Sequence, residues 1–154
     1  MCGAFCAGHQ ALAEALTGTE GDDTLVGTDS DDRFTGLRGH DHLTGRAGED
    51  RLKGSRGNDH LKGSRGADHL WGSRGNDHLW GSRGNDEIIP GEGDDEVYAG
   101  EGDDLIYARD PHGVDHIDCG GGFDQVETIH RDDKTLSNCE RAFGPSRGDI
   151  ETGG

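Results

Sequence analysis

Ten aspartates stand nine residues apart, at Asp23, Asp32, Asp41, Asp50, Asp59, Asp68, Asp77, Asp86, Asp95 and Asp104. Carboxylates repeated at a fixed interval beside glycine are a donor set for a hard divalent cation. Calcium takes about six to eight oxygens, some from carboxylates and some from backbone carbonyls. Glycine serves that chemistry because it adopts positive φ freely and can turn a peptide carbonyl toward a ligand. The competing explanation is a turn kept for its backbone geometry alone, since Asp and Asn both favour turns. The asparagines argue for the ligand: Asn58, Asn76 and Asn85 fill the position just before the aspartate, yet no asparagine takes the aspartate's own place.

The interval belongs to a nine-residue unit. Its plainest copies are Gly54-Ser-Arg-Gly-Asn-Asp-His-Leu-Lys62 and the two units that follow, Gly63 to Trp71 and Gly72 to Trp80. In that register, units run without insertion from Gly18 to Tyr107. The sixth position is the aspartate, and the eighth is apolar throughout: Leu25, Phe34, Leu43, Leu52, Leu61, Leu70, Leu79, Ile88, Val97 and Ile106. The fourth is glycine except at Ser30, and the first is glycine except at Pro90 and Ala99. Side chains alternate between the faces of a strand, so a three-residue strand after each turn would point its middle, apolar residue inward.

With this many units in unbroken register, the chain resembles the RTX family, whose hemolysin-type calcium-binding repeat is written GGxGxDxUx. It departs from that pattern chiefly at the second position, where Thr or Ser usually replaces glycine. The resemblance implies an all-β fold, a right-handed parallel β-roll with two parallel sheets of short strands. Two nonapeptides make one coil, and calcium ions lie between turns one coil apart. Asp23 and Asp41 then flank one site, and Asp32 and Asp50 flank the next on the opposite edge. Beyond Tyr107 a two-residue insertion around Pro111 and His112 precedes two degenerate units, which carry Asp115 with Ile117 and Asp124 with Val126. Both aspartates join the candidate ligands. The tail resembles closures of bacterial β-roll proteins, in which Cys-Gly-Gly-Gly is followed by Asn-Cys-Glu; this pairs Cys119 with Cys139 and implies an oxidising compartment. Four segments follow: residues 1–17 as an N-terminal segment, 18–107 as regular repeats, 108–127 as degenerate repeats and 128–154 as a cap and tail.

Composition gives the cation a further role. The chain carries 32 Asp and Glu against 15 Lys and Arg, a net charge of −17, and only 29% hydrophobic residues. Such a chain buries too little apolar surface to offset the entropy of ordering it. Bound divalent cations would neutralise charge and convert binding free energy into folding free energy. The charge is uneven: Gly36 to Arg83 carries nine basic and six acidic residues, while the flanks hold the acidic excess. By this reading the chain is extracellular, secreted by a bacterium, and folds where calcium is plentiful. Ala11-Leu12-Ala13 has the small-residue spacing of a leader cleavage site, although no basic start precedes it. Cys2 and Cys6 are compatible with a second pair or with remnants of that leader.

Outward positions form ladders. His42, His60 and His78 would align one coil apart, either as a transition-metal site or as plain surface rungs. Trp71, Ile89 and Tyr107 on one sheet, and Trp80 with Tyr98 on the other, fit either a binding stripe or cross-strand packing. Arg38, Arg56 and Arg74 on one edge and Arg65 with Arg83 on the other offer contacts for an anionic polysaccharide or cell surface, or balance the aspartates. Those arginines are expected to weaken calcium binding in the middle coils, and acidic fifth positions such as Asp22, Asp31, Asp94 and Asp103 to strengthen it toward the ends. Arg147-Gly148-Asp149 spells a recognition tripeptide that this composition produces readily by chance.

Other functions fit less well. The residues outside the repeats hold no nucleophile–base set and no zinc-protease helix motif, so an enzyme is not expected. No apolar stretch is long enough to span a bilayer. Nucleic acid is disfavoured by the overall charge, and Thr24, Thr35 and Thr44 do not form the regular row that ice binding would need.

Overall fold

The computed structural model describes residues 13, 15–109, 113–128, 136–139 and 141–143. Cys2, Cys6, Ala11-Leu12, the insertion at Pro111 and His112, and Arg147-Gly148-Asp149 lie outside the described residues.

The chain winds through short strands: β1 (Ala15–Thr17), β2 (Thr24–Val26), β3 (Arg33–Arg38), β4 (His42–Ala47), β5 (Arg51–Arg56), β6 (His60–Arg65), β7 (His69–Arg74) and β8 (His78–Arg83). It continues with β9 (Glu87–Glu92), β10 (Glu96–Glu101), β11 (Leu105–Ala108), β12 (His116–Gly121), β13 (Gln125–Thr128), β14 (Leu136–Ser137) and β15 (Arg141–Phe143). Odd-numbered strands form one parallel sheet and even-numbered strands the other, each in sequential order. Successive nonapeptides therefore alternate between sheets, and two of them make one coil. Register follows that period. Leu43 pairs with Leu61 and Leu61 with Leu79, so each residue stacks on its equivalent 18 positions away. The two-residue insertion is absorbed between β11 and β12, since Val97 pairs with Ile117 and Ile106 with Val126.

The core is one column of eighth-position side chains from each sheet. Leu43, Leu61, Leu79, Val97 and Ile117 come from one, and Phe34, Leu52, Leu70, Ile88, Ile106 and Val126 from the other, all buried. Where the first position is not glycine, its small side chain joins them, as Ala99, Ala108 and Cys119 do. Cys119 bonds to Cys139 with their Cα atoms 5.2 Å apart. That bridge ties β12 to the segment after β14, beyond the last repeats.

Most strands are twice the expected length. From β3 to β10 each runs six residues, continuing past the apolar residue through the first three positions of the next unit. The extension depends on the second position, which takes positive φ while staying paired to its neighbours: Leu37 at 91°, Arg46 at 93°, Ser55 at 97° and Ser73 at 95°. Gly91 and Gly100 hold the same place at 117° and 119°. Residues with a Cβ occupy that region at a cost. The fourth-position glycines have less freedom still, because a Cβ on Gly57 or Gly66 would strike the carbonyl of the glycine one coil earlier.

Ser73→Gly should therefore raise the thermal midpoint in calcium, by an amount equivalent to about 0.5–1 kcal/mol, since relief at positive φ outweighs the extra freedom glycine gives the unfolded chain. A lowered midpoint would show that the serine side chain matters more than its backbone. Replacing Cys119 and Cys139 together with serine should cost roughly 3 kcal/mol in the chain-entropy account. Denaturant unfolding with and without reductant checks this, and reductant should leave the double variant unchanged.

Candidate metal centre

The sixth-position aspartates end the turns and point inward. Those from Asp32 to Asp104, together with Asp115 and Asp124, are buried, while Asp23 in the first coil is half-buried. From Asp41 onward one carboxylate oxygen of each is fixed across the coil. Oδ1 of Asp41 accepts the backbone N–H of Asp23 at 2.8 Å, Asp59 that of Asp41 at 2.9 Å and Asp77 that of Asp59 at 2.8 Å. Along the other edge Asp50 accepts from Asp32, Asp68 from Asp50, Asp86 from Asp68 and Asp104 from Asp86. The degenerate units continue both rows, Asp115 accepting from Asp95 and Asp124 from Asp104. The bonds run between the pairs expected to flank common sites, and they hold each carboxylate inward.

The second oxygen is different. Oδ2 of Asp41, Asp50, Asp59, Asp68, Asp77, Asp86, Asp104 and Asp124 is buried with no hydrogen-bond partner among the described residues. An unpaired buried carboxylate oxygen is costly. Its surroundings add to the cost. A Cβ built on Gly72 would collide with both Asp77 Oδ2 and the carbonyl oxygen of Pro90, and one on Gly81 with Asp86 Oδ2 and the carbonyl of Ala99. Glycine at the first position thus leaves a small space into which a carboxylate and a carbonyl from the next coil both turn. Two acceptors facing one space call for a hydrogen-bond donor or a cation between them. Repeated carboxylate and carbonyl oxygens suit calcium, so the residues present fit that ion. Among the described residues no three His, Cys, Asp or Glu side chains cluster as a metal site, so carbonyls would have to complete each set.

The first two turns are closed instead. Thr28 donates its backbone N–H to Asp32 Oδ2 at 2.6 Å and its hydroxyl at 3.1 Å, and Thr19 treats Asp23 in the same way. Neither threonine has positive φ. Asp23 and Asp32 are therefore served by their own turns, a distinction the aspartate pattern alone does not carry. The clue lay one step away, in Thr against Ser at the second position.

The acidic fifth positions bond along the roll. Asp22 accepts the backbone N–H of His40, Asp31 that of Glu49, Asp94 that of Val114 and Asp103 that of Phe123. Asn58 and Asn85 make the same bond to Asn76 and Asp103. This second ladder explains the mix of Asn and Asp there, because either side chain supplies the accepting oxygen.

Burial raises the aspartates' proton affinity. Loss of hydration, reinforced mainly by neighbouring carboxylates and opposed by the backbone N–H bond, pushes Asp50, Asp77 and Asp86 up to about 7 and Asp59, Asp68 and Asp104 up to about 6. Asp41 and Asp124 shift in the same direction, again chiefly through burial.

The outward ladders form in the expected register, with different consequences. His42, His60 and His78 stack with ring centroids 4.6 and 4.7 Å apart and planes within 10°. Parallel rings aim their nitrogen lone pairs side by side, whereas two nitrogens sharing a tetrahedral zinc stand about 3.3 Å apart and converge. As stacked, the parallel rings do not converge on one ion. Arg38 pairs in register with Arg56 and Arg56 with Arg74, and Arg65 with Arg83. Acidic neighbours bound these rows, with Glu20 at 3.0 Å from Arg38, Glu92 at 3.4 Å from Arg74 and Glu101 at 3.5 Å from Arg83. Trp80 stacks on Tyr98 at 6.1 Å, and Trp71 pairs with Ile89.

The described residues include no helix long and apolar enough to cross a membrane. Comparison with curated proteins finds no match. A family model does match, over residues 17–52, 53–88 and 89–126, and it describes the RTX calcium-binding nonapeptide repeat in four copies. No catalytic domain is identified beside it. Those segments span most of the chain and coincide with the coils whose aspartates present unpaired oxygens, so this protein belongs to the RTX calcium-binding nonapeptide repeat family.

Proposed function

We propose that this chain is the calcium-responsive folding module of a secreted protein, highly charged and unfolded where calcium is scarce and a rigid β-roll where it is plentiful. The observation that carries the reading is the double row of buried Oδ2 atoms of Asp41, Asp50, Asp59, Asp68, Asp77, Asp86, Asp104 and Asp124, which have no hydrogen-bond partner among the described residues. The ligands in this reading are Asp41, Asp50, Asp59, Asp68, Asp77, Asp86, Asp95, Asp104, Asp115 and Asp124, with carbonyls from adjoining coils. Asp23 and Asp32 contribute less, because Thr19 and Thr28 already satisfy them. Calcium supplies the positive charge that the buried carboxylates and carbonyls otherwise lack. Everything else comes from the chain: N–H bonds hold the carboxylates inward, glycines keep the space open, and the leucine column stacks once the coils close.

Three considerations support the functional side of this reading. RTX repeats are typical of secreted bacterial proteins. Coils contact chiefly their neighbours, so order propagates from one to the next and the transition is cooperative. Weak affinity suffices outside the cell, on the order of 10⁻⁴ to 10⁻³ M, as in other extracellular calcium modules.

Far-UV circular dichroism during a calcium titration tests the proposal, with magnesium as control. A cooperative rise in β-structure near millimolar calcium, absent with magnesium, is expected. A chain fully β-structured in chelator and indifferent to calcium would overturn it. In the same assay Asp77→Asn should require several-fold more calcium, because the amide keeps the Oδ1 acceptor but loses the charge, whereas Asp23→Asn should shift the midpoint little.

The pH dependence has a definite sign. The folded-state values of about 6 to 7 exceed the ordinary aspartate value, so between pH 4 and 7 the folded chain binds more protons than the unfolded one. Without calcium, stability is therefore greatest below pH 4 to 5 as far as these groups decide it, and is lost as pH rises through 6 to 7. Metal-free protein should show more β-structure at pH 5 than at pH 7.5. At pH 5, where the metal-free chain is expected to be folded, calcium binding should release protons, measurable by calorimetry in buffers of different ionisation enthalpy; a chain that is β-structured at pH 5 without calcium and releases no protons on binding it would contradict the raised proton affinity of these carboxylates.

A further inference from the structure

We infer that the outer face of the odd-numbered sheet carries a binding groove for an acidic polysaccharide, built by Arg33, Arg51, Lys53 and Trp71. These residues line one surface cleft, whose lining is completed by Phe34, Thr35 and Ser73. Their placement follows from the period. Arg33 and Arg51 are direct cross-strand partners on β3 and β5, and Thr35, Lys53 and Trp71 stack in the adjacent column across β3, β5 and β7.

The charge arrangement calls for a partner. Like charges directly opposite one another on a sheet destabilise it. Elsewhere on this surface the ladders resolve such conflicts with carboxylates: His69 meets Glu87 at 3.1 Å, Arg74 meets Glu92, and Arg38 meets Glu20. Among the described residues no carboxylate comes within ion-pairing distance of Arg33, Arg51 or Lys53. In a chain of net charge −17 the three cations share one cleft instead of being dispersed among the surplus acids.

The cleft also selects the kind of anion. The indole of Trp71 closes one side, giving an apolar surface against which the carbon face of a sugar ring can lie. The guanidinium groups of Arg33 and Arg51 present planar forks suited to carboxylates one rung apart. A single-stranded nucleic acid would ask for a succession of stacking side chains along a basic track, and this cleft has one. A uronate-bearing chain needs just this combination of spaced cations beside a single ring. The site is distinct from the arginine rows at the turn edges, and it requires only that the roll be folded, however many calcium ions it holds.

Isothermal titration with an oligogalacturonate, in calcium sufficient for a maximal β-signal by circular dichroism, tests the inference. A neutral oligosaccharide of the same length and an oligothymidylate serve as comparators. Saturable binding of the uronate that is weakened about fivefold to tenfold in Arg51→Gln/Lys53→Gln is expected, together with no change for Arg65→Gln/Arg83→Gln on the turn edge. Both double variants alter exposed groups, so their calcium-induced β-signal should match the parent. Quenching of fluorescence should persist in Trp80→Phe and vanish in Trp71→Phe. Uronate binding that is absent, or unaltered in Arg51→Gln/Lys53→Gln, overturns the groove. Equal binding of the neutral sugar overturns the role of charge, and equal or tighter binding of the oligothymidylate overturns the saccharide assignment. A chain that is folded without calcium yet binds the uronate would sink the folding proposal and leave this one standing.

Discussion

The structure turns on one unresolved electrostatic contact: a buried carboxylate oxygen that shares a small space with a backbone carbonyl and has no donor between them. That arrangement recurs along both edges of the roll. It cannot relax locally, because the other oxygen of each carboxylate is held by a backbone N–H one coil away. Turning the aspartate outward would break that bond and orphan a buried amide instead. The interior cannot easily outweigh the conflict, since each strand from β3 to β13 contributes chiefly one large apolar residue to the core. A protein with a thick core can carry a few uncomfortable polar groups. Here they recur as often as the leucines do.

The 18-residue coil explains why conflict and stability share an origin. Parallel in-register stacking sets every side chain on its own equivalent. For leucine this is favourable, and Leu52, Leu70 and Ile88 stack into a continuous column. Fifth-position Asn and Asp gain as well, since each closes a bond to the coil beyond. For charged residues the same rule places like beside like. The surface relieves this where one block of sequence gives way to another, as where Arg74 meets Glu92 and His78 meets Glu96. The sixth position has no such change of identity, and beyond Asp23 and Asp32, which their own threonines serve, the chain itself offers most of its Oδ2 atoms no donor.

Much of this was legible in the sequence because the period is rigid. The nine-residue register placed the inward column, both rows of aspartates and the homotypic ladders, and the tail's resemblance to known closures placed Cys119 against Cys139. Strand length was less legible. Glycine and serine after the apolar residue read as turn signals, but positive φ at Ser55 and Ser73 proves compatible with continued pairing. The bond that the fifth position makes to the next coil was not legible in its acidity, although its alternation with Asn is consistent with a requirement for an accepting oxygen. The histidine ladder formed as spaced, yet spacing says nothing about the direction of a lone pair.

The second position shows how finely the metal chemistry depends on backbone preference. A β-branched residue resists positive φ more than serine or glycine does. Thr19 and Thr28 accordingly keep a conformation in which their N–H and hydroxyl reach the aspartate of the same turn. Ser55, Ser64, Ser73 and Ser82 accept positive φ, carry their strands onward, and leave Oδ2 of Asp59, Asp68, Asp77 and Asp86 without a donor. One methyl group at the second position therefore separates a turn that satisfies its own carboxylate from one that needs something external. The same substitution pattern divides the roll along its length, with turns that satisfy their own aspartate at its N-terminal end and turns that leave Oδ2 without a donor through its middle. The coils with these donor-free carboxylates are also those with the longest strands and the most complete leucine column, so unmet charge and apolar packing lie in the same part of the roll.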